Sequence, residues 1–235
     1  TVTLDAATLE REPQLLDWAA FHNGAASGLR LDAAPGTITR TWIVNNKPEE
    51  LTHQHAGLLM VLGLQGHLSA LALTDLYGYL QSYHDATTVG ILLGLSAAKR
   101  GTMDSNASKV AQLHIPYLLP REMEVSSTVQ TAALVSIGLI YQGTAHRLMT
   151  EILLAEIGRR PMTDFMIDRE GYSLAAGLAL GMVTLGAGSG GSSGGLADLH
   201  IDEKLQRYID GGIDPDLASA GGWVRPGGRG GQPVQ

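Results

Sequence analysis

Five glycines set the terms on which this chain can fold. Gly36, Gly66, Gly101, Gly143 and Gly186 each close a stretch of apolar and small residues, and successive ones lie 30, 35, 42 and 43 residues apart. Recurrence at that period is the mark of an array of helical hairpins, each unit too small to bury its apolar face alone. The likeness is closest between residues 57–66 (Gly-Leu-Leu-Met-Val-Leu-Gly-Leu-Gln-Gly) and 177–186 (Gly-Leu-Ala-Leu-Gly-Met-Val-Thr-Leu-Gly), where Gly57 and Gly177 open what Gly66 and Gly186 close. Two looser copies end in Gly-Thr, at Gly101-Thr102 and Gly143-Thr144, and a degenerate first copy runs from Gly28-Leu29 to Gly36-Thr37.

Each copy has two parts. In the fourth, Ser127-x-x-Gln130 is a capping-box pattern before an apolar run, which predicts a helix starting near Val129. Its residues are apolar on every side, as in a helix buried all round. After Gly143, residues 145–157 predict a second, amphipathic helix, with Leu148, Ile152, Leu153 and Ala155 inward and Arg147, Glu151 and Glu156 outward. Residues 202–209 repeat that style, with Leu205 and Ile209 on one side and Glu203 and Arg207 paired on the other. Glycine inside a helix costs about 0.5–1 kcal/mol relative to alanine. Gly57, Gly63, Gly90, Gly94, Gly138, Gly177 and Gly181 therefore call for a compensating cause, and close approach of one buried helix to the next supplies it.

This reading gives an all-α fold, a solenoid with an inner row of buried helices and an outer row of amphipathic ones. Residues 21–211 hold about five repeats, residues 1–20 a flanking segment with one short helical pattern (Leu15, Leu16, Trp18, Ala19), and residues 212–235 a Gly/Pro-rich tail. A second tract, residues 186–195, contains only Gly, Ser and one Ala, and its pattern fits a natural loop and an engineered linker equally. The opening Thr-Val-Thr-Leu-Asp has neither an initiator Met nor the layout of a signal peptide, and reads as part of a longer chain.

Composition removes several classes of function. A net charge of -7 lacks the positive footprint of a nucleic-acid binder. The absence of cysteine excludes disulfides, thiolate zinc sites and a cysteine nucleophile. The longest charge-free apolar stretch, residues 56–74, is broken at its middle by Gln65, Gly66 and His67, which argues against a membrane span.

Candidate chemistry is sparse. Ser192 and Ser193 both satisfy Gly-x-Ser-x-Gly, but no strand precedes them, and a Gly/Ser tract matches that pattern by composition alone. His53-x-His55 is the closest histidine pair, yet residues two apart on a helix point to different sides and no third metal ligand stands nearby. His67 and His146 flank repeat-closing glycines, where hydrogen bonds to free helix-end carbonyls are the expected role. Asn106-Ala-Ser108 matches a glycosylation acceptor and also a helix start after Asp104. No catalytic residue, cofactor site or metal site is expected. The basic pairs Lys99-Arg100 and Arg159-Arg160 fall at turns, and are the candidate partner-docking residues if stacked hairpins present one edge.

Four blocks, residues 56–68, 91–104, 141–147 and 172–183, resemble proteasome/cyclosome repeats, and more narrowly those of the large subunit of the anaphase-promoting complex. Residues 42–48 and 153–158 extend the match, which runs from about Phe21 to Gly211. The resemblance implies an arc or part of a toroid of inner and outer helices, with Gly57, Gly66, Gly101, Thr102, Gly143, Thr144, Gly177 and Gly186 as repeat-structural residues. It also implies a non-catalytic scaffold in a multi-subunit RING-type E3 ubiquitin ligase acting in the cell cycle, in nucleus and cytoplasm, whose partners are the other subunits and the coactivator. A ubiquitin or ubiquitin-like-domain receptor is the alternative that related proteasomal repeats suggest. Five repeats are fewer than the complete family domain, so an open arc with an uncovered apolar end is expected, with self-association or a complementary fragment to cover it.

Overall fold

The computed structural model describes residues 6–12, 14–115, 125–159, 168–186 and 196–211. Every regular element among them is helical. After a short α1 (Ala6–Arg11), the helices alternate between two kinds. The inner ones are α2 (Leu15–Gly28), α4 (His53–Leu64), α6 (Asp85–Ala98), α8 (Ser127–Ile140) and α10 (Arg169–Val183). Between and after them lie α3 (Arg40–Asn45), α5 (Leu73–Leu80), α7 (Ser105–Gln112), α9 (Arg147–Ile157) and α11 (Ile201–Ile209). Each inner helix packs against the next, α2 on α4, α4 on α6, α6 on α8 and α8 on α10, so the chain builds two layers of helices in sequence order.

Polar side chains fix most helix starts. Thr39, Thr52, His84, Asp104, Ser126, His146 and Asp168 stand at the N-caps of α3, α4, α6, α7, α8, α9 and α10, and each accepts a backbone N–H from the first turn. The cap of α8 is Ser126 rather than Ser127, and Gln130 reaches the Val125 carbonyl (2.6 Å) instead of closing a capping box. His146 likewise caps α9 through Nδ1, so its role is to accept an N–H and not to bond a carbonyl. His67 does meet a carbonyl, that of Asp32 at 3.1 Å.

Four inner helices, α4, α6, α8 and α10, end alike, two or three residues before Gly66, Gly101, Gly143 and Gly186. These glycines, and Gly36 eight residues past the end of α2, all have φ between +69° and +84°, the left-handed region where only glycine is unstrained. Thr102 and Thr144, each next to such a glycine, donate their hydroxyls to the carbonyls of Lys99 and Tyr141, both at 2.7 Å. The turns then bond onward. Gly101 and Met103 donate N–H to the Leu139 and Ile140 carbonyls of α8 (2.9 and 3.0 Å), and Gly143 and Ala145 donate to Met182 and Val183 of α10 (2.9 and 3.0 Å). Carbonyls that a helix C-terminus would leave open are thus taken by the preceding hairpin's turn.

Between inner helices, glycine sets the distance. A methyl group placed on Gly63 would lie 2.6 Å from the Gly94 carbonyl carbon, and one on Gly90 would lie 2.4 Å from the Ala56 carbonyl oxygen. Gly138 meets the Ala179 backbone of α10 at 2.7 Å by the same measure. The main core joins Val89 and Leu92 of α6 to Leu134, Ile137 and Ile140 of α8, Leu153 of α9 and Ala176 and Val183 of α10. A second core under α3 to α5 holds Ile43, Leu59, Leu62 and Leu76, and reaches α6 through Ile91.

Three expectations are corrected. The pattern at Leu15, Leu16, Trp18 and Ala19 is not a separate flanking helix: it opens α2, which runs unbroken past residue 20 as the first inner helix, because Phe21, Gly24, Ala25 and Gly28 continue it against α4. In α9, Leu148 is 54% exposed while Glu156 is fully buried, the reverse of the expectation for these two residues, and Tyr172 and Arg159 both meet the carboxylate at Oε2. Ile209 of α11 is exposed rather than packed beside Leu205.

Candidate interaction surface

The inner helices are covered on both flanks by their neighbours except at the ends of the row. On α8, Leu134 and Gly138 are buried, and Gly138 receives α10. Aligning the closing glycines Gly143 and Gly186 places Gly177 at the position of Leu134, and Gly181 at that of Gly138. Around Gly177 and Gly181 of α10 there is open space, and Leu174, Leu178 and Leu185 beside them are 74%, 56% and 58% exposed. Residues 174, 177, 178, 181 and 185 recur at helical spacing, so they form one apolar stripe with glycine at its floor. An apolar stripe of this kind, left in water, marks an interaction surface. Close approach explains Gly57, Gly63, Gly90, Gly94 and Gly138; at Gly177 and Gly181 the approaching helix is missing among the described residues.

The basic turn residues do not form one edge. Lys99 and Arg100 end the inner helix α6, whereas Arg159 follows the outer helix α9, which runs back from the turn at Gly143 to the opposite rim. Lys99 Nζ lies 3.8 Å from Asp104, Arg100 is exposed, and Arg159 Nε lies 3.2 Å from Glu156, so Arg159 is committed to the interior. Arg160, Ser192, Ser193 and the tail from 212 onward lie outside the described residues.

Sequence reasoning missed the Glu156 cluster. The carboxylate takes the Tyr172 hydroxyl hydrogen bond, and Tyr208 of α11 covers Gly158 while donating to the Leu154 carbonyl at 3.3 Å. Burial, reinforced by the Glu156 charge, pushes the Tyr172 phenol well above its ordinary pKa, so it stays a donor. The arrangement ties α9, α10 and α11 together, with the buried charge paired at Oε2 by Tyr172 and Arg159. Among the described residues no three His, Asp or Glu side chains converge as metal ligands, and no helix is long and apolar enough to cross a membrane.

Comparison with known proteins adds what geometry alone does not carry. A family model described as the APC1 fourth domain matches residues 1–100, and one described as the APC1 fifth domain matches residues 105–221. Anaphase-promoting complex subunit 1 of Homo sapiens is 50% identical over 219 residues, covering 90% of this chain and 11% of that protein. The Dictyostelium discoideum protein of the same name is 47% identical over 211 residues (88% and 9%), and a negative regulator of mitosis of Emericella nidulans is 40% identical over 226 residues (93% and 11%). The chain therefore spans roughly a tenth of the length of the relatives it matches, 11% for two of these.

Proposed function

The chain belongs to the anaphase-promoting complex subunit 1 family, and from that premise we propose that it is a non-catalytic scaffold module of that E3 ubiquitin ligase. In this reading its hairpins are proteasome/cyclosome repeats that dock other subunits for ubiquitin-dependent proteolysis in the cell cycle, and it works in nucleus and cytoplasm. One observation supports it above the others. The α10 stripe of Leu174, Gly177, Leu178, Gly181 and Leu185 has the same place in its helix as the α8 face that covers α10, but lies bare. In this reading its occupant is an apolar helix of another subunit of the complex, and without one the stripe pairs with a second copy of the chain.

The test is a set of pull-downs of individually purified subunits of the complex, and of the coactivator, with this chain and with its Leu174→Glu/Leu178→Glu variant. At least one subunit is retained by the parent chain and weakened about tenfold or more by the variant, a loss of about 1.4 kcal/mol. Retention of nothing by a folded chain, or equal retention by the variant, overturns docking through this stripe. Saturable binding of free ubiquitin, with no subunit retained, reassigns the module as a ubiquitin receptor. In sedimentation velocity the parent chain associates with rising concentration and the variant does not; a parent chain that stays monomeric overturns the self-association.

A further inference from the structure

The first turns of α2, α4 and α6 share one rim of the helix row. His53 opens α4 with its Nδ1 3.7 Å from the Asp17 carboxylate of α2, and its ring lies 5.1 Å from that of His84, the N-cap of α6. The charges of Asp17 and Asp85 both reach His84, so the three helix starts make one continuous surface. An exposed aromatic stands at each end of it. Trp18 follows Asp17 and is 48% exposed, with its ring 5.4 Å from that of Phe21, and Tyr83 precedes His84 and is 89% exposed.

Tyr83 has no occupation within the fold. Its φ of +53° is in the left-handed region, which is strained for a bulky residue. Met103 and Ala145 share that conformation, at +53° and +50°, but each gains a 3.0 Å hydrogen bond from its N–H to the carbonyl of a later inner helix. The Tyr83 N–H reaches only the Leu80 carbonyl, at 3.4 Å. Aromatic side chains held out in water in this way belong to the residue types that carry most of the energy of protein interfaces. The carboxylates of the rim are idle too. Glu49 and Glu50, exposed just before the α4 cap Thr52, and Asp85, the first residue of α6, have no salt-bridge partner among the described residues. Elsewhere Asp75, Asp104, Glu151 and Asp198 each face an arginine or lysine at 2.7–3.8 Å. Lys47, two residues before Glu49, stands instead 4.6 Å over the Tyr79 ring.

We propose that this rim docks an arginine-bearing segment of a partner protein, with guanidinium groups over the rings of Tyr83 and Trp18 and facing the carboxylates of Asp17, Glu49, Glu50 and Asp85. Arginine suits both features at once. Its planar guanidinium stacks on an aromatic face while its edge donates to a carboxylate, which the compact ammonium of lysine cannot do. A positive segment also complements a chain of net charge -7, whose field draws it in. The surface lies on the starts of the first three inner helices and uses none of the α10 stripe, so it holds or falls apart from docking there.

The probe is a blocked pentapeptide, acetyl-Gly-Arg-Gly-Arg-Gly-amide, titrated into the full chain while the Tyr83 ring and Trp18 indole resonances are followed by NMR. Peptides with lysine or glutamine in place of both arginines are the controls. The Arg peptide moves both resonances saturably, the Lys peptide binds several-fold more weakly, and the Gln peptide does not saturate. Tyr83→Gly removes the ring and relieves the left-handed backbone, so the urea midpoint rises while affinity for the Arg peptide falls about tenfold. Glu49→Gln/Glu50→Gln, at exposed positions, weakens the Arg peptide about threefold with an unchanged circular dichroism spectrum. No saturable shift with the Arg peptide overturns the proposal. So does equal binding of the Gln peptide, unchanged affinity in Tyr83→Gly, or shifts as large at Asp202 and Glu203 of α11, which would mark attraction to any acidic surface. A lower urea midpoint in Tyr83→Gly overturns it as well, since the ring would then already serve the fold.

Discussion

Gly94 and Gly177 are glycines inside helices of one kind, yet their surroundings are opposite. At Gly94 a methyl group would strike the Met60 carbonyl oxygen at 2.3 Å, and at Gly177 it would meet nothing within 4 Å. The first glycine lets two backbones touch. The second weakens its helix by the usual cost of a missing side chain and gets nothing in return from the atoms described here. A residue type that is costly in one place and indispensable in another is best understood as a socket, filled between α4 and α6 and empty on α10. The two family-model matches are not separated in the same way. Their junction, residues 101–104, falls in the turn between α6 and α7, but the core crosses it, since α6 gives Ile91 to one side and Val89 and Leu92 to the other.

The largest expected effect tests the filled socket. Gly94→Val forces α4 and α6 apart along their whole crossing, and lowers stability by about 3 kcal/mol or more, beyond the usual range for an overpacked core, because backbone and not a flexible side chain stands in the way. A urea midpoint unchanged from the parent would remove close approach as the reason for this glycine.

Acid separates the two ends next. The folded-state pKa of His55 is lowered to about 4, below its unfolded value, so the unfolded chain takes up the proton first. Stability contributed by neutral His55 is complete above pH about 6.5 and is lost as pH falls toward 4, a cost on the order of 2 kcal/mol. His84 and His114, also held down by burial, add to the loss in the same direction. Hydrogen exchange at pH 5 speeds up in α4 before α10, and His55→Gln flattens the pH dependence; equal acceleration in both helices would break the distinction.

The smallest effect tests the empty socket. Gly177→Ala stabilises the isolated chain by about 0.5–1 kcal/mol, as alanine does in an open helix interior. The same substitution weakens any assembly through the α10 stripe. Thermal unfolding and sedimentation of one variant read both, and destabilisation of the monomer would show that Gly177 is already packed.

The alternation of buried and amphipathic helices, and the places where the inner ones end, can be read from residue types alone because glycine at positive φ and apolar periodicity are local. Partner-dependent features cannot. Glu156 reads as a surface residue because nothing in the order of residues announces Tyr172 sixteen positions away, or that Arg159 turns inward to meet it. Leu148 fits an inward stripe by spacing with Ile152 and Leu153, but α9 turns Met149 and Thr150 inward beside those two instead. Caps slip by one residue, as Ser126 for Ser127, since adjacent serines compete for the same first-turn N–H. The unpartnered Nε2 of His55 had no legible signal, because it is a property of what surrounds the ring. Histidine as an N-cap, at His84 and His146, was equally hidden.

The hydrogen bonds from Gly143 and Ala145 to Met182 and Val183 run one way, from an earlier hairpin's turn to a later helix's end. An array joined like this has a direction, as a zipper has. The hairpins that turn at Gly101 and Gly143 hold out donors in fixed positions for a helix that has not yet arrived. Synthesis on the ribosome, which releases the amino end first, meets this part of the row in its favourable order: α8 and α10 each come to a surface already shaped to stop them at the correct residue. Circular permutants that release later hairpins before earlier ones would lose that guidance while keeping every contact of the finished fold.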